Sequence, residues 1–183
     1  MAGELKQFIQ DCRDAISLNE GPKAREIIKE KLAALTSNDT FVNEYCGPDA
    51  EVGDHVLHKD PDLGFMVINH VKDYARTQPP HDHGDSWAMY SQTAGHTDII
   101  EYERYDDLSK VGFADVKPVK SYELRRGMVG TYGPRDIHSI HYEPGVRFIR
   151  LVGNDFTLVS QRLFDIDSQS VKVRDPTKLA SRI

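Results

Sequence analysis

The strongest constraint on the fold is a long central region, from about residue 39 to residue 165, built of short apolar or alternating runs. Turns rich in Gly, Pro and Asp separate the runs, and apolar alternation is typical of strands. The predicted strands are Asp54 to His58, Gly64 to Val71, Ser86 to Thr93, Thr97 to Arg104, Val116 to Leu124, Met128 to Tyr132, Ile137 to Tyr142, Val146 to Val152 and Phe156 to Phe164. Many short strands without helices between them predict an antiparallel sandwich or barrel.

A different pattern precedes this region. Apolar residues from Leu5 to Ile16 recur at three- and four-residue steps, which indicates one helical face. The segment 19–22 interrupts the pattern, and a second helix is predicted from Ala24 to Leu35. The 183 residues are therefore expected to form one domain, with helices in 1–38, a barrel in 39–165 and an extended tail in 166–183.

Charge and composition exclude several classes of partner. The formal net charge is −6 and no basic stripe is present, which argues against nucleic acid. The N-terminus lacks the pattern of a signal peptide, and no apolar run is long enough for a membrane helix. With only two cysteines, of which Cys12 lies on the apolar helical face, a reducing cytoplasm is the expected location.

Two histidines stand one residue apart in the segment His81-Asp82-His83-Gly84. On a strand, such a pair shares one face, so both imidazoles can point into one cavity. Two neutral imidazoles aimed at one point begin a site for a first-row divalent metal. His138, which follows a Gly-Pro turn, is the candidate third ligand. The alternative is a solvated pair of histidines on a strand face.

These motifs resemble the cupin superfamily of small double-stranded β-helix barrels. The first cupin motif runs His-x-His, then Glu, then Gly, and here His81 and His83 match, Gly95 is the closing glycine and Ala88 replaces the Glu. The turn and His138 resemble the second motif. The resemblance implies a mainly β jelly-roll barrel with an N-terminal helical hairpin. It leaves three imidazoles and no carboxylate as metal ligands.

The three-His pattern, the helical extension and the segment His-Asp-His-Gly-Asp-Ser-Trp-Ala look like the cysteine-dioxygenase-like branch of the cupins. That branch implies a mononuclear non-heme Fe(II) enzyme that incorporates O2 into a small anionic substrate such as a thiol acid. Zinc, nickel or manganese would accept the same ligands. In the mammalian-type enzyme a Cys at the position of Ala88 is crosslinked to a Tyr near the position of Val152, and this crosslink cannot form here. Cupins often pair through edge strands, so a homodimer stays open.

Four further residues are candidates for substrate contact. Arg150 interrupts the apolar run 148–152, so it either meets an anion inside the barrel or reaches the surface. Tyr90 and Gln92 lie at alternate positions after the histidine pair and can line the same cavity, although both can equally fill the barrel. Trp87 is interpreted as core or pocket wall. Tyr90 and Arg150 are the candidate catalytic residues, and all four are candidates for substrate binding.

The remaining histidines are less informative. His96 and His141 are expected at the surface or behind the ligands. His55, His58 and His70 precede the motif on predicted strands, and one of them could face the cavity.

Two alternatives to a thiol dioxygenase stay open. One is cleavage of a C–C bond of a diketone or hydroxyketone by the same three-His iron. The other is a non-catalytic, metal-dependent cupin that binds a small molecule.

Overall fold

The computed structural model describes residues 3–19, 21–155 and 158–174, in which three helices precede eleven strands. The helices are α1 (Gly3–Leu18), α2 (Gly21–Ser37) and α3 (Asp39–Cys46). The strands are β1 (Gly53–Lys59), β2 (Met66–Val71), β3 (Arg76–His81), β4 (Ala88–Ala94), β5 (His96–Arg104), β6 (Val116–Arg125), β7 (Val129–Tyr132), β8 (Ile137–Tyr142), β9 (Arg147–Val152), β10 (Gln161–Asp165) and β11 (Ser170–Arg174).

The strands form two antiparallel sheets with jelly-roll connectivity. The first sheet has the order β1-β2-β9-β4-β7, and the second has the order β11-β10-β3-β8-β5-β6. Along the chain, the eight strands β2 to β9 pass repeatedly from one sheet to the other, which is the double Greek key of a jelly roll. The expected mainly β jelly-roll barrel preceded by helices is confirmed.

The helices pack on the outer face of the first sheet. Val67, Met89 and Leu151 point from that sheet into a core shared with the helices, whereas Met66 and Phe148 point into the barrel. Strands β2 and β4 are consequently buried on both faces. The nearly continuous apolar run around Arg150 has the same cause, because β9 also lies between the helices and the barrel interior. Among the described helices, none combines the length and apolar character needed to cross a membrane.

The structure corrects several boundaries. The segment that follows residue 38 is a third helix, α3, whose first turn is capped by the Asn38 side chain accepting a hydrogen bond from the Phe41 N–H at 3.1 Å. Strand β11 was not predicted, and β3 was absent from the set of predicted strands although the histidine pair at its end was expected on a strand. Within the expected tail 166–183, residues 170–174 form β11 and pair with β10, and residues 175–183 lie outside the described part. The strand expected from Phe156 begins at Gln161, and residues 156–157 are also outside the described part.

Candidate metal centre

The histidine pair lies at the end of β3, in the second sheet. His81 is the last residue of this strand and pairs directly with His138 of the neighbouring β8. His83 is not on the strand, as the sequence interpretation had it, but in the loop between β3 and β4. Both imidazoles nevertheless reach one point inside the barrel.

Asp82, between the two histidines, anchors the β3–β4 loop through its side chain. Its carboxylate is fully buried and accepts hydrogen bonds from the Arg162 backbone N–H at 3.0 Å, the Arg162 Nε–H and the Gly84 N–H. A buried ion pair with additional hydrogen bonds fixes the conformation of the segment around it. Gly84 then turns the chain with φ +57°, and a Cβ there would lie 2.4 Å from the Ser160 carbonyl oxygen. Only glycine fits this turn.

The three histidines form one compact cluster. One ring nitrogen from each of His81, His83 and His138 lies within 4.8 Å of the others. The ring centroids are 4.5 Å apart for His81 and His138, and 5.1 Å apart for each of the other two pairs. All three side chains are buried. The predicted trio therefore comes together in the barrel interior.

Burial keeps the three imidazoles neutral. Loss of hydration, together with the nearby Arg150 charge, lowers the pKa of His81 to about 4, although the hydrogen bond to the Pro79 carbonyl opposes this shift. The same burial, together with Arg150 and the neighbouring histidines, holds the pKa values of His83 and His138 well below the ordinary value. Neutral imidazoles are the form that binds metal ions.

The hydrogen bonds of the cluster fit a metal ion. Both ring nitrogens of His138 are buried without a hydrogen-bond partner among the described residues, a costly arrangement unless something else binds there. His81 Nδ1 lies 2.9 Å from the Pro79 carbonyl oxygen, which leaves Nε2 as its ligand atom. His83 contacts side chains through both nitrogens, so an ion bound to it would replace one contact. The cluster is a candidate three-His metal site.

Ala88 confirms the absence of a carboxylate at the expected ligand position. Its side chain is fully buried in the barrel interior and pairs with Val152 on β9 and Tyr132 on β7. The pairing with Val152 is the neighbourhood expected from the resemblance, and neither residue can supply a Cys–Tyr crosslink. Tyr132 instead stacks on the His138 ring, with the ring centroids 3.9 Å apart.

Tyr90 and Arg150 face the cluster from the first sheet. They are direct neighbours across β4 and β9, and the Arg150 guanidinium lies 5.5 Å from the centre of the Tyr90 ring. Tyr90 Oη is 3.2 Å from His83 Nε2, and Arg150 Nη2 is 3.4 Å from His83 Nδ1. Of the two orientations left open for Arg150, the structure has the inward one. A phenol and a guanidinium thus lie beside the candidate metal ligands.

A cavity of about 710 Å³ opens in front of these residues, between the β1–β2 edge of one sheet and the β3–β10 edge of the other. His83, Tyr90 and Arg150 form part of its wall. Gln92 and Trp87 do not. The Gln92 amide is buried in hydrogen bonds with the Ala94 carbonyl and the Thr97 hydroxyl, and Trp87 packs against the helix-side core. Neither is placed where it could touch a ligand in this cavity.

The cavity includes residues that the sequence did not single out. Gln161 of β10 is buried, and its Nε2 lies 3.3 Å from His83 Nδ1. Lys72 and Arg76 line the opposite end of the cavity. Of the three early histidines, His70 is the one that faces it. Gln161 and Lys72 could have been found only from the strand register, because neither belongs to a motif.

The other histidines lie outside the cavity. His55 contacts the Glu51 carbonyl and His58 lies near Asp60. His141 is bonded at the surface to Thr77 and Glu143. His96 forms a second group with Asp98 and Glu123, in which no member is buried. These positions agree with the expected surface roles of His96 and His141.

Comparisons with known proteins give no family assignment. No family model matches the sequence, and no curated protein matches it. Among solved structures, KdgF from Halomonas sp. is 14% identical with a TM-score of 0.41, covering 56% of this chain and 77% of its own. The Cnp3 cupin domain of Schizosaccharomyces pombe is 11% identical with a TM-score of 0.39, covering 59% and 66%. Pumpkin seed globulin is 18% identical with a TM-score of 0.40, and the match covers 60% of this chain and 27% of the globulin chain.

Proposed function

We propose that the protein is a cupin-type mononuclear non-heme Fe(II) dioxygenase that incorporates O2 into a small anionic substrate, most simply a thiol acid. The observation that carries the proposal is the cluster of three buried, neutral imidazoles, of which His83 lines the inner end of a cavity that also holds Arg150. Three neutral ligands leave the full charge of a divalent ion and several open positions for an anion and dioxygen. An Fe(II) ion held there would supply the oxygen chemistry.

The residues of the chain then have separate tasks. Arg150 presents a planar guanidinium that can hold a carboxylate through two hydrogen bonds. Tyr90, beside it, can donate a hydrogen bond to the reacting part of the substrate. Phe148, Ile68 and Ile140 keep water away from the inner part of the cavity. This division supports an anionic substrate over a neutral one.

The test is anaerobic reconstitution with Fe(II), followed by oxygen-electrode assays with cysteine, mercaptopropionate, mercaptosuccinate and acetylacetone. We expect one iron per chain, and oxygen uptake with at least one thiol acid. His138→Ala should lose both the iron and the activity. His141→Ala, which removes a surface histidine, is the matched control and should keep both.

The other outcomes of this experiment separate the alternatives. Oxygen uptake with acetylacetone alone would replace the proposal by C–C bond cleavage of a diketone. A stable iron complex that consumes no oxygen with any of these compounds would indicate a binding protein. Failure of the wild-type chain to retain iron while remaining folded would overturn the metal site itself.

We also propose that the protein acts in the cytoplasm with a small-molecule substrate and O2 as its partners. Cys12 and Cys46 are both buried free thiols, and burial raises the pKa of each. Such thiols need no oxidising compartment.

A further inference from the structure

The cavity has two polar ends. The inner end contains His83, Arg150 and Gln161. The lining also includes Arg174, which pairs with Gln161 across β10 and β11, and Asp155, which forms an ion pair with Lys59. Arg150 pairs with Ile68 of β2. Lys72 lies four residues after Ile68, directly beyond the end of β2. With a rise of about 3.3 Å per residue, the second end lies roughly 13 Å from the first. This length is the starting point of the inference.

The outer end carries an excess of positive charge. Asp54 accepts hydrogen bonds from both His70 Nδ1 and Lys72 Nζ, and together these bonds lower the pKa of its carboxyl below the ordinary value, although burial alone would raise it. Asp54 and Lys72 therefore balance each other. Arg76 adds a further cation at the exposed rim, and no carboxylate of the described residues forms an ion pair with it. One positive charge at this end is left to attract an anion.

The wall between the ends is apolar. Ile68, Ile140 and Phe148 line it, and the His70 ring lies flat on Phe148 with centroids 4.5 Å apart. Charged or strongly hydrated groups would lose hydration along this wall without compensation. Hydrocarbon or aromatic parts of a ligand would instead gain from burial there.

The size of the cavity points the same way. About 710 Å³ is within the range of pockets that enclose ligands of many atoms, and a three-carbon thiol acid would fill only its inner end. We infer that the substrate is an elongated molecule with two anionic groups, one bound by Arg150 at the histidine cluster and one by Arg76 at the rim, joined by an apolar segment. This inference rests on the proposed function, because it takes Arg150 as the anchor of the reacting end.

The test measures binding to the full-length protein loaded with Zn(II), which binds the same ligands but supports no turnover. Isothermal titration calorimetry compares linear dicarboxylates of increasing length, namely succinate, adipate, suberate and sebacate, with the monocarboxylates butyrate and decanoate. We expect sebacate to bind about tenfold more tightly than both succinate and decanoate, since a second charge-assisted contact has roughly that effect.

Two variants assign the contacts. Arg76→Gln should remove the higher affinity for sebacate over decanoate and leave the affinity for butyrate unchanged. Arg150→Gln should lower the affinity for all the acids. Arg125→Gln, which alters an exposed arginine on β6 outside the cavity, is the matched control and should change none of them.

The inference is overturned if sebacate binds no better than succinate or decanoate, or if Arg76→Gln keeps the advantage of sebacate. Failure of the proposed function looks different. In that case the Fe(II) protein would consume no oxygen with any thiol acid, whatever the dependence of affinity on ligand length.

Discussion

At the scale of single residues, the proposed recognition of an anion depends on Arg150. It lies beside Tyr90 and His83 at the inner end of the cavity. Arg147, three positions earlier on the same strand, instead bonds to the Cys46 and Pro48 carbonyls on the helix side. The two arginines therefore form a natural pair of target and control.

Arg150→Met should raise KM for an anionic thiol acid about 10- to 100-fold, because a hydrogen-bonded charge contact of about 1.5–3 kcal/mol is lost. The iron content should stay the same, and turnover of a neutral diketone should hardly change. Steady-state oxygen uptake measures all three. Arg147→Met should leave KM unaltered; an equal rise in both variants would mean that Arg150 acts only through the fold.

The Asp82–Arg162 ion pair is expected to affect both stability and metal affinity. Arg162→Met leaves the buried Asp82 carboxylate without its main partner, which should lower the free energy of unfolding by about 3 kcal/mol. Since Asp82 fixes the loop between two ligands, metal affinity should fall by about tenfold as well. Urea unfolding and competition with a chelator measure the two effects. Loss of stability with unchanged metal affinity would show that the loop is held by other contacts.

The sequence predicted the residues of the cluster well and their surroundings poorly. The spacing of His81 and His83 and the turn before His138 carry their own signal, because ligand geometry restricts them. Gln161 and Lys72 reach the cavity only through the packing of strands that are distant in sequence. Gln92 lies two residues after Tyr90 and was therefore expected on the same face of the strand. Its amide is instead occupied by hydrogen bonds to Ala94 and Thr97, which a strand pattern does not reveal.

At the scale of elements, the loop from β3 to β4 decides the position of His83. Gly84→Ala would place a Cβ against the Ser160 carbonyl at a positive φ, so the loop has to move. We expect metal affinity to fall by more than tenfold while far-UV circular dichroism stays that of the wild type. Gly112→Ala, at another positive-φ glycine with open space around it, is the control for backbone strain alone. Equal metal affinity in the two variants would contradict the assigned role.

The bounds of strand β3 were not predicted, for a reason visible in its sequence. Pro79 and Pro80 cannot donate backbone hydrogen bonds, and prolines argue against a strand within a sheet. The structure accommodates them at an irregularity in the pairing with β8, between Gln78 and His81. Helix α3 was missed because it has only eight residues, too few to show a clear apolar period.

At the scale of the whole molecule, buried neutral histidines couple stability to pH. Burial lowers the pKa of His70 to about 4 from an ordinary value near 6.5, although the bond to Asp54 opposes this shift. Below pH 6.5 the His70 imidazole therefore binds a proton in the unfolded chain but not in the folded chain. The contribution of His70 to the free energy of unfolding is fully present above pH 6.5 and is lost as the pH falls toward 4.

The metal-free protein should lose about 3 kcal/mol of unfolding free energy through His70 between pH 7 and pH 4, with further losses from the histidine cluster. His70→Gln should show a smaller loss over the same range, whereas the exposed-site variant His141→Gln should match the wild type. Urea unfolding of chelator-treated protein at several pH values measures this. Equal pH dependence in all three proteins would show that His70 titrates normally.

The position of Trp87 has a practical consequence. It is the only tryptophan of the chain, it directly precedes β4 at the end of the loop that carries His83, and its indole nitrogen lies against Gly153. All tryptophan emission from this protein therefore originates at a single known position a few residues from the histidines. Intrinsic fluorescence can follow metal uptake in real time, with neither a label nor a coupled assay.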